Sequence, residues 1–381
     1  MSTARPRVLL VAFTRHHDDA RVRRLVRALA SAADVTTAGY GPAAPGSHRH
    51  VTLGPSDSPH PPVAAVATGW LAHGVSPLLR SAASRATAGA LAGDRWDAVV
   101  AVGAETLPVA RHLADGAAVW ADVRAWPDAG AHGPFAPLER DALLRVLRED
   151  LPRSAAVTVS SEALADLVRR EVPGLQPDVA VVRDTWPRAE LTPTPVADPV
   201  RLVRAGTARA GAGLETTIEA VRTLGDGWTL DLLLAPGPDG GAVLRRLHER
   251  ADELPQVRIS VAPDPDTLPR VLHGYDVATW WVPPTTTQAC AALPSFLLAA
   301  VQARCALAVG PAAQAERLVR AYGLGVVAVD VFAATCAASL RRLGRDGIAA
   351  AKQRSADASQ ELSADADDTR LAGVLDRLRL G

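Results

Sequence analysis

Short apolar runs alternate with amphipathic helical stretches along almost the whole chain, and a polypeptide patterned this way has few folds open to it. An apolar run too short for a helix reads as a strand buried on both faces. The stretch between two such runs, with apolar residues at helical spacing, reads as the crossover to the next parallel strand. The first unit is an apolar run at 8–13 followed by Val22, Leu25, Val26, Leu29 and Ala30 on one helical face. Further strands are expected at 35–38, 98–102, 117–121, 156–159 and 179–182, with helices over 107–114, 138–151 and 162–172. At 192–199 the pattern breaks, because Pro193, Pro195 and Pro199 disfavour helix and central strand alike and leave an extended connector. It restarts with strands at 200–205, 229–234, 257–261, 277–282, 306–309 and 326–329, and helices over 214–224, 242–251, 296–303 and 314–322. The class is α/β, with a Rossmann-like domain over 1–191, a linker over 192–199, a second such domain over 200–360 and a helical segment over 361–381. A length of 381 residues agrees with two cores rather than one.

Lys+Arg and Asp+Glu both total 41, so the formal net charge is zero and no global field recruits nucleic acid. Lys352 is the sole lysine among many arginines, which with the alanine excess fits a GC-rich bacterial genome. Cys290, Cys305 and Cys336 match no zinc spacing and form no even-numbered disulfide set, so buried thiols in a reducing cytoplasm are expected, with no bound metal and no cofactor. Arg5, Pro6 and Arg7 before the first apolar run mimic a signal peptide, but that run is short and reads better as the first strand. The apolar stretch 61–79 carries Gly69, His73, Gly74 and Pro77 and does not read as a membrane span. Through Trp70 and Leu71 its alternative role is weak contact with a membrane surface.

In open parallel sheets ligands bind beyond the carboxyl ends of the strands, so the strand-to-helix loops carry the candidate chemistry. After the strand at 200–205, Gly206, Thr207, Arg209, Gly211 and Gly213 lead into a helix. Glycines there let the backbone approach a ligand, and helix N-terminal amides with Arg209 favour an anion such as a diphosphate. After the strand containing Trp280 and Trp281, Ser295 is expected at a helix N-cap, free to hold a phosphate or sugar or simply to cap. Asp122 and Arg124 reach one strand end, as a reacting pair or as a plain ion pair. His16, His17, Asp19 and Arg21 crowd the loop after the first strand, and with Glu105 they are candidates for acceptor binding.

The ordered series of motifs resembles the family 4 glycosyltransferases over nearly the whole chain. Asp19-Ala20-Arg21-Val22 looks like that family's first loop, and Val181-Val182-Arg183-Asp184 its crossover into the second domain. Gly206 to Glu215 resembles its donor loop, and Leu293-Pro294-Ser295-Phe296 its closing signature. The resemblance implies the GT-B architecture, two Rossmann-like doubly wound domains facing across a cleft. It implies transfer of a sugar from a nucleotide-sugar donor to a small-molecule or glycan acceptor, with retention and without metal. The donor would lie on the second domain, against Gly206, Thr207, Arg209, Gly211, Gly213, Ser295 and Asp184, and the acceptor on the first. Asp122 and Arg124 would stand beside the reacting sugar. Departures fall at charged positions: Phe296 replaces the signature's lysine, Ala299 its ribose-binding glutamate, Ala212 the donor-loop arginine, and Arg124 the histidine after Asp122. The alternative is therefore a catalytically degenerate relative that binds or stabilises a partner glycosyltransferase. A third reading, an epimerase or hydrolase, rests on the carboxylates and histidines of the first domain alone.

Overall fold

The computed structural model describes residues 5–62, 76–127, 136–176, 178–237 and 241–378. The chain forms two compact units, one of residues 1–182 with 368–381 and one of residues 183–367.

The first unit is built on a seven-stranded, wholly parallel sheet. Its strands are β1 (Arg7–Arg15), β2 (Asp34–Tyr40), β3 (Arg49–Leu53), β4 (Ala98–Val102), β5 (Ala118–Val123), β6 (Ala156–Val159) and β7 (Val179–Val181). They lie in the order β3-β2-β1-β4-β5-β6-β7, so the winding reverses at β1. Every residue of β4 is buried, as a central strand covered on both faces requires. β3 is absent from the sequence reading because Arg49, His50 and Thr52 leave no apolar run to signal it. One core cluster joins Val8, Leu10 and Ala12 of β1, Val22, Leu25 and Leu29 of the helix Ala20–Ala30, and Leu371, Val374 and Leu378 from the far end of the chain.

The second unit holds a parallel six-stranded sheet of β8 (Val200–Thr207), β9 (Trp228–Ala235), β10 (Val257–Val261), β11 (Val277–Trp280), β12 (Ala306–Val309) and β13 (Gly325–Val327). Their order is β10-β9-β8-β11-β12-β13, the dinucleotide-fold order with its switch point between β8 and β11. Alternate residues of β8 enter opposite cores. Leu202 packs with Leu214 and Ile218 of the helix Leu214–Leu224, whereas Val203 packs with Leu297 and Leu298 of the helix Ser295–Gln302. The expected strand at 277–282 ends at Trp280, and the tail forms two helices, Ala333–Ala358 and Ala364–Arg377.

The segment 192–199 is extended, and it is fastened to the second unit. The Lys352 ammonium, 1% exposed, donates to Thr194 Oγ1 at 2.8 Å and pairs with Asp276 at 2.8 Å. Asp276 in turn accepts from the Ala197 and Arg201 amides, and Arg345 donates to the Val196 and Ala197 carbonyls. Arg183 and Asp367, the first and last residues of the unit, form a second buried pair at 2.7 Å. Among the described residues no helix is long and apolar enough to cross a membrane. Trp70 and Leu71, expected at a membrane surface, lie outside the described residues.

Candidate functional site

In the first unit the polar loop after β1 is shorter than its sequence suggests, because Thr14 and Arg15 belong to the strand. Asp19 caps the helix Ala20–Ala30, its carboxylate accepting from the Arg21 amide at 3.0 Å and the Val22 amide at 3.2 Å. His17 is exposed and so is Asp18, which pairs with Arg15 at 2.7 Å. His16 turns inward instead. Its ring is fully buried, Nε2 lies 3.0 Å from the Ala12 carbonyl, and a Cβ on Gly39 would meet that nitrogen at 2.1 Å. Burial lowers the His16 pKa to about 4, the nearby His50 adding to the effect and the Ala12 carbonyl opposing it.

Asp122 and Arg124 do not pair with each other. The Asp122 carboxylate, 1% exposed, is gripped by Arg21 through Nε at 3.0 Å and through Nη2, and it accepts from Thr158, whose hydroxyl also takes the Trp120 indole N–H at 2.8 Å. Arg21 reaches on to the Val182 carbonyl, so this charge pair ties β5 and the first helix to the end of the unit. Arg124 turns to Asp19. Burial pushes the Asp19 carboxyl upward, and the Arg124 guanidinium beside it outweighs that and leaves it below its ordinary value. Glu105 follows β4 on the other side of the switch point, its carboxylate folded back over Gly103. Burial raises its pKa, against the pull of its own amide and of Arg124. Asp19, Arg124 and Glu105 thus share one neighbourhood at the carboxyl ends of β1, β4 and β5, and Arg21 and Asp122 form the buried layer beside it.

In the second unit, β8 ends at Gly206 and Thr207, both exposed, and Arg209 and Gly211 are exposed after them. Gly206, Gly211 and Gly213 have φ of 146°, 74° and 71°, a backbone that other residues rarely adopt. Gly213 also has no room for a side chain, since a Cβ there would lie 2.0 Å from the Trp281 carbonyl oxygen at the end of β11. It stands at the N-cap of the helix Leu214–Leu224 with no side-chain cap bond. Ala212 is buried in the core. The helix Ser295–Gln302 has Pro294, not Ser295, at its N-cap, with no side-chain cap bond, and Ser295 is exposed as its first residue. Nearby, Thr286 caps the short helix Thr287–Ala291, accepting from the Ala289 amide at 3.0 Å. Asp184 is half-buried just after the chain crosses into this unit.

One group at this switch point is absent from the sequence reading. Arg204 of β8 is 4% exposed, and its guanidinium carbon lies 3.6 Å from the Trp280 ring centroid and 5.3 Å from that of Phe296. Its signal in the sequence is an arginine at an interior position of a central strand, where a covered sheet calls for an apolar residue. A cavity of about 590 Å³, lined by Arg201, Asp231, Arg258 and Tyr275 among others, opens elsewhere in the unit, toward the amino-terminal ends of β8 to β10.

No family model matches the sequence, and no curated protein matches it at a significant level. Solved structures do match. Anabaena HepE in complex with UDP superposes with a TM-score of 0.70 at 14% identity, over 97% of this chain and 99% of that one. Sucrose-phosphate synthase from Thermosynechococcus elongatus gives 0.73 at 15% identity, over 98% and 99%. A glycosyltransferase from Rickettsia africae gives 0.65 at 12% identity, over 98% and 99%. The fold these structures share with the chain is GT-B.

Proposed function

We propose that this chain, built on the GT-B fold, is a glycosyltransferase that binds a nucleotide-sugar on its second unit and passes the sugar to a small-molecule or glycan acceptor. The observation that carries the reading is the loop of Gly206, Thr207, Arg209, Gly211 and Gly213 at the β8/β11 switch point, open at its surface and leading into an uncapped helix. Unpaired amides and an arginine at such a point suit a diphosphate. Structures similar to the chain hold UDP or UDP-glucose, which supports the same class of donor. As the glycosidic bond breaks, charge accumulates on the leaving diphosphate, and Arg209 with these amides would neutralise it without a metal. Among the described residues no three His, Cys, Asp or Glu side chains cluster to hold an ion. On the first unit, Arg124, Asp19 and Glu105 are the groups an acceptor or the transferring sugar would meet, with Asp122 and Arg21 positioning them from beneath. Transfer with retention belongs to the same proposal.

A thermal-shift series with nucleoside diphosphates and their sugars tests it. A ligand that binds only the folded chain adds about 2.7 kcal/mol at 100 times its dissociation constant. Absence of stabilisation by every nucleotide would remove the donor site. Arg209→Ala is expected to weaken binding by about 1.5–3 kcal/mol, the range for a hydrogen bond to a charged group. Binding is expected to persist in excess chelator, and a loss that added metal restores would overturn the metal-free part. The second reading, a non-catalytic partner of another glycosyltransferase, is favoured by the apolar Phe296 and Ala299, both buried in the core. Binding of a nucleotide-sugar without turnover or hydrolysis by the chain alone would support it.

A further inference from the structure

We propose that Arg204 is the cation that receives the diphosphate at the β8/β11 switch point, in place of the charges absent at positions 212 and 296. The assignment rests on the donor site proposed above and adds to it a residue that no motif marks.

The chain's other buried cations are each compensated. Arg21 has Asp122, Arg183 has Asp367 and Lys352 has Asp276. Arg304, with no carboxylate, donates to four backbone carbonyls, those of Ala189, Leu191, Val301 and Gln302. Arg204 has neither solution. Among the described residues it makes one hydrogen bond, from Nη1 to the Ala205 carbonyl at 2.7 Å, and no carboxylate lies within ion-pair distance. A guanidinium carries five N–H donors, and burying a charge that is neither paired nor fully hydrogen-bonded is costly.

Its surroundings define what would complete it. The guanidinium carbon lies over the Trp280 ring and near that of Phe296, and aromatic rings offer its remaining N–H groups no oxygen acceptor, which leaves those groups for an oxygen ligand. The guanidinium reaches the glycine loop, since Nη1 lies 3.8 Å from where a Cβ on Gly206 would stand. Burial, and after it the charge of Arg209, lowers the Arg204 pKa to about 9, so the group stays charged at neutral pH. Arg204 and Arg209 therefore stand close enough to feel each other's charge beside one glycine loop, and among the described residues neither has a carboxylate partner. An anion with paired oxygens, a phosphoryl group above all, matches a planar fork of donors. Phe296 then has a defined part: it is one of the rings against which the relocated cation rests.

The test is calorimetric titration of the full chain with inorganic pyrophosphate and, in parallel, UDP, GDP and ADP, each set beside the melting temperature without ligand. Arg204→Met is expected to weaken the tightest of these ligands at least tenfold while leaving the unliganded melting temperature unchanged or raised, because an unpaired buried charge has been removed. A residue that only packs against these rings would do the reverse, losing stability and leaving affinity intact, and that result overturns the assignment. Should Arg204→Met fail to fold, Arg204→Lys keeps a charge and loses the planar fork. It is expected to weaken binding at least threefold, and unchanged affinity there also overturns the proposal. Wild-type binding of nucleotides that Arg204→Met retains in full sinks Arg204 and leaves the donor site standing. Pyrophosphate binding that depends on Arg204, with no nucleotide bound, sinks the donor reading and leaves Arg204 standing. A wild type that binds none of the four ligands sinks both.

Discussion

The imidazole of His16 is held neutral by its surroundings, fully buried with Gly39 against its edge and His50 as the neighbouring ring at 5.1 Å. Its pKa of about 4 lies below the unfolded value of 6.5, so between those two pH values the unfolded chain binds the extra proton. Stability from this residue is therefore complete above about pH 6.5 and is lost as the pH falls toward 4, by about 3 kcal/mol over the interval. Urea unfolding at pH 7 and pH 4.5 should show that loss in the wild type and a smaller one in His16→Gln; equal losses in the two proteins would refute it. Position 299 carries a second expectation. Ala299 is fully buried among Leu297, Leu298 and Val301, so Ala299→Glu alone should cost several kcal/mol in thermal unfolding, as a carboxylate forced into a core does. A variant as stable as the wild type would mean that the new side chain finds polar surroundings. At this scale the sequence showed which residue types gather after each strand. It could not show their pairing: Asp122 and Arg124 lie two positions apart yet choose Arg21 and Asp19, because Arg124 stands past the end of β5 and both partners come from the start of the helix Ala20–Ala30, a contact across about a hundred residues that no local spacing encodes.

Strands and helices were legible wherever apolar periodicity was strong, as in β1, β4 and the helix Ala20–Ala30. β3 was hidden because an edge strand can carry Arg49, His50 and Thr52 without an apolar run. Composition marked 192–199 as extended and could not say that it is fastened. Its buried anchor is the Lys352 ammonium, whose removal would leave Asp276 buried and uncompensated. Lys352→Met is expected to cost about 3–5 kcal/mol, the range for breaking a buried pair from one side. It should also make 192–199 a site of cleavage by a nonspecific protease under conditions where the wild-type segment is spared. Cleavage there at equal rates in both proteins would show that the bond from Lys352 to Thr194 and its pair with Asp276 do not hold it.

For the molecule as a whole, the class and the repeated winding follow from the pattern of runs, while the path of the last residues does not. Leu371, Val374 and Leu378 belong to the core of the first unit, a long-range partnership that no local periodicity encodes. Each such side chain contributes about 1.5–3 kcal/mol on burial, against a usual domain total of about 5–15. A chain ending at Asp367 should therefore lose the first unit's thermal transition and keep the second's. Hydrogen exchange would then quicken in β1 and β4 and not in β8 or β12; the opposite distribution would contradict the assignment. The same arrangement sets an order of events on the ribosome. Residues 183–367 emerge as an unbroken stretch and can close their sheet at once, whereas the unit translated first must wait for the residues beyond 367. For that interval its apolar face is bare to the crowded cell, so a stop before residue 368 damages the half of the protein that was made first.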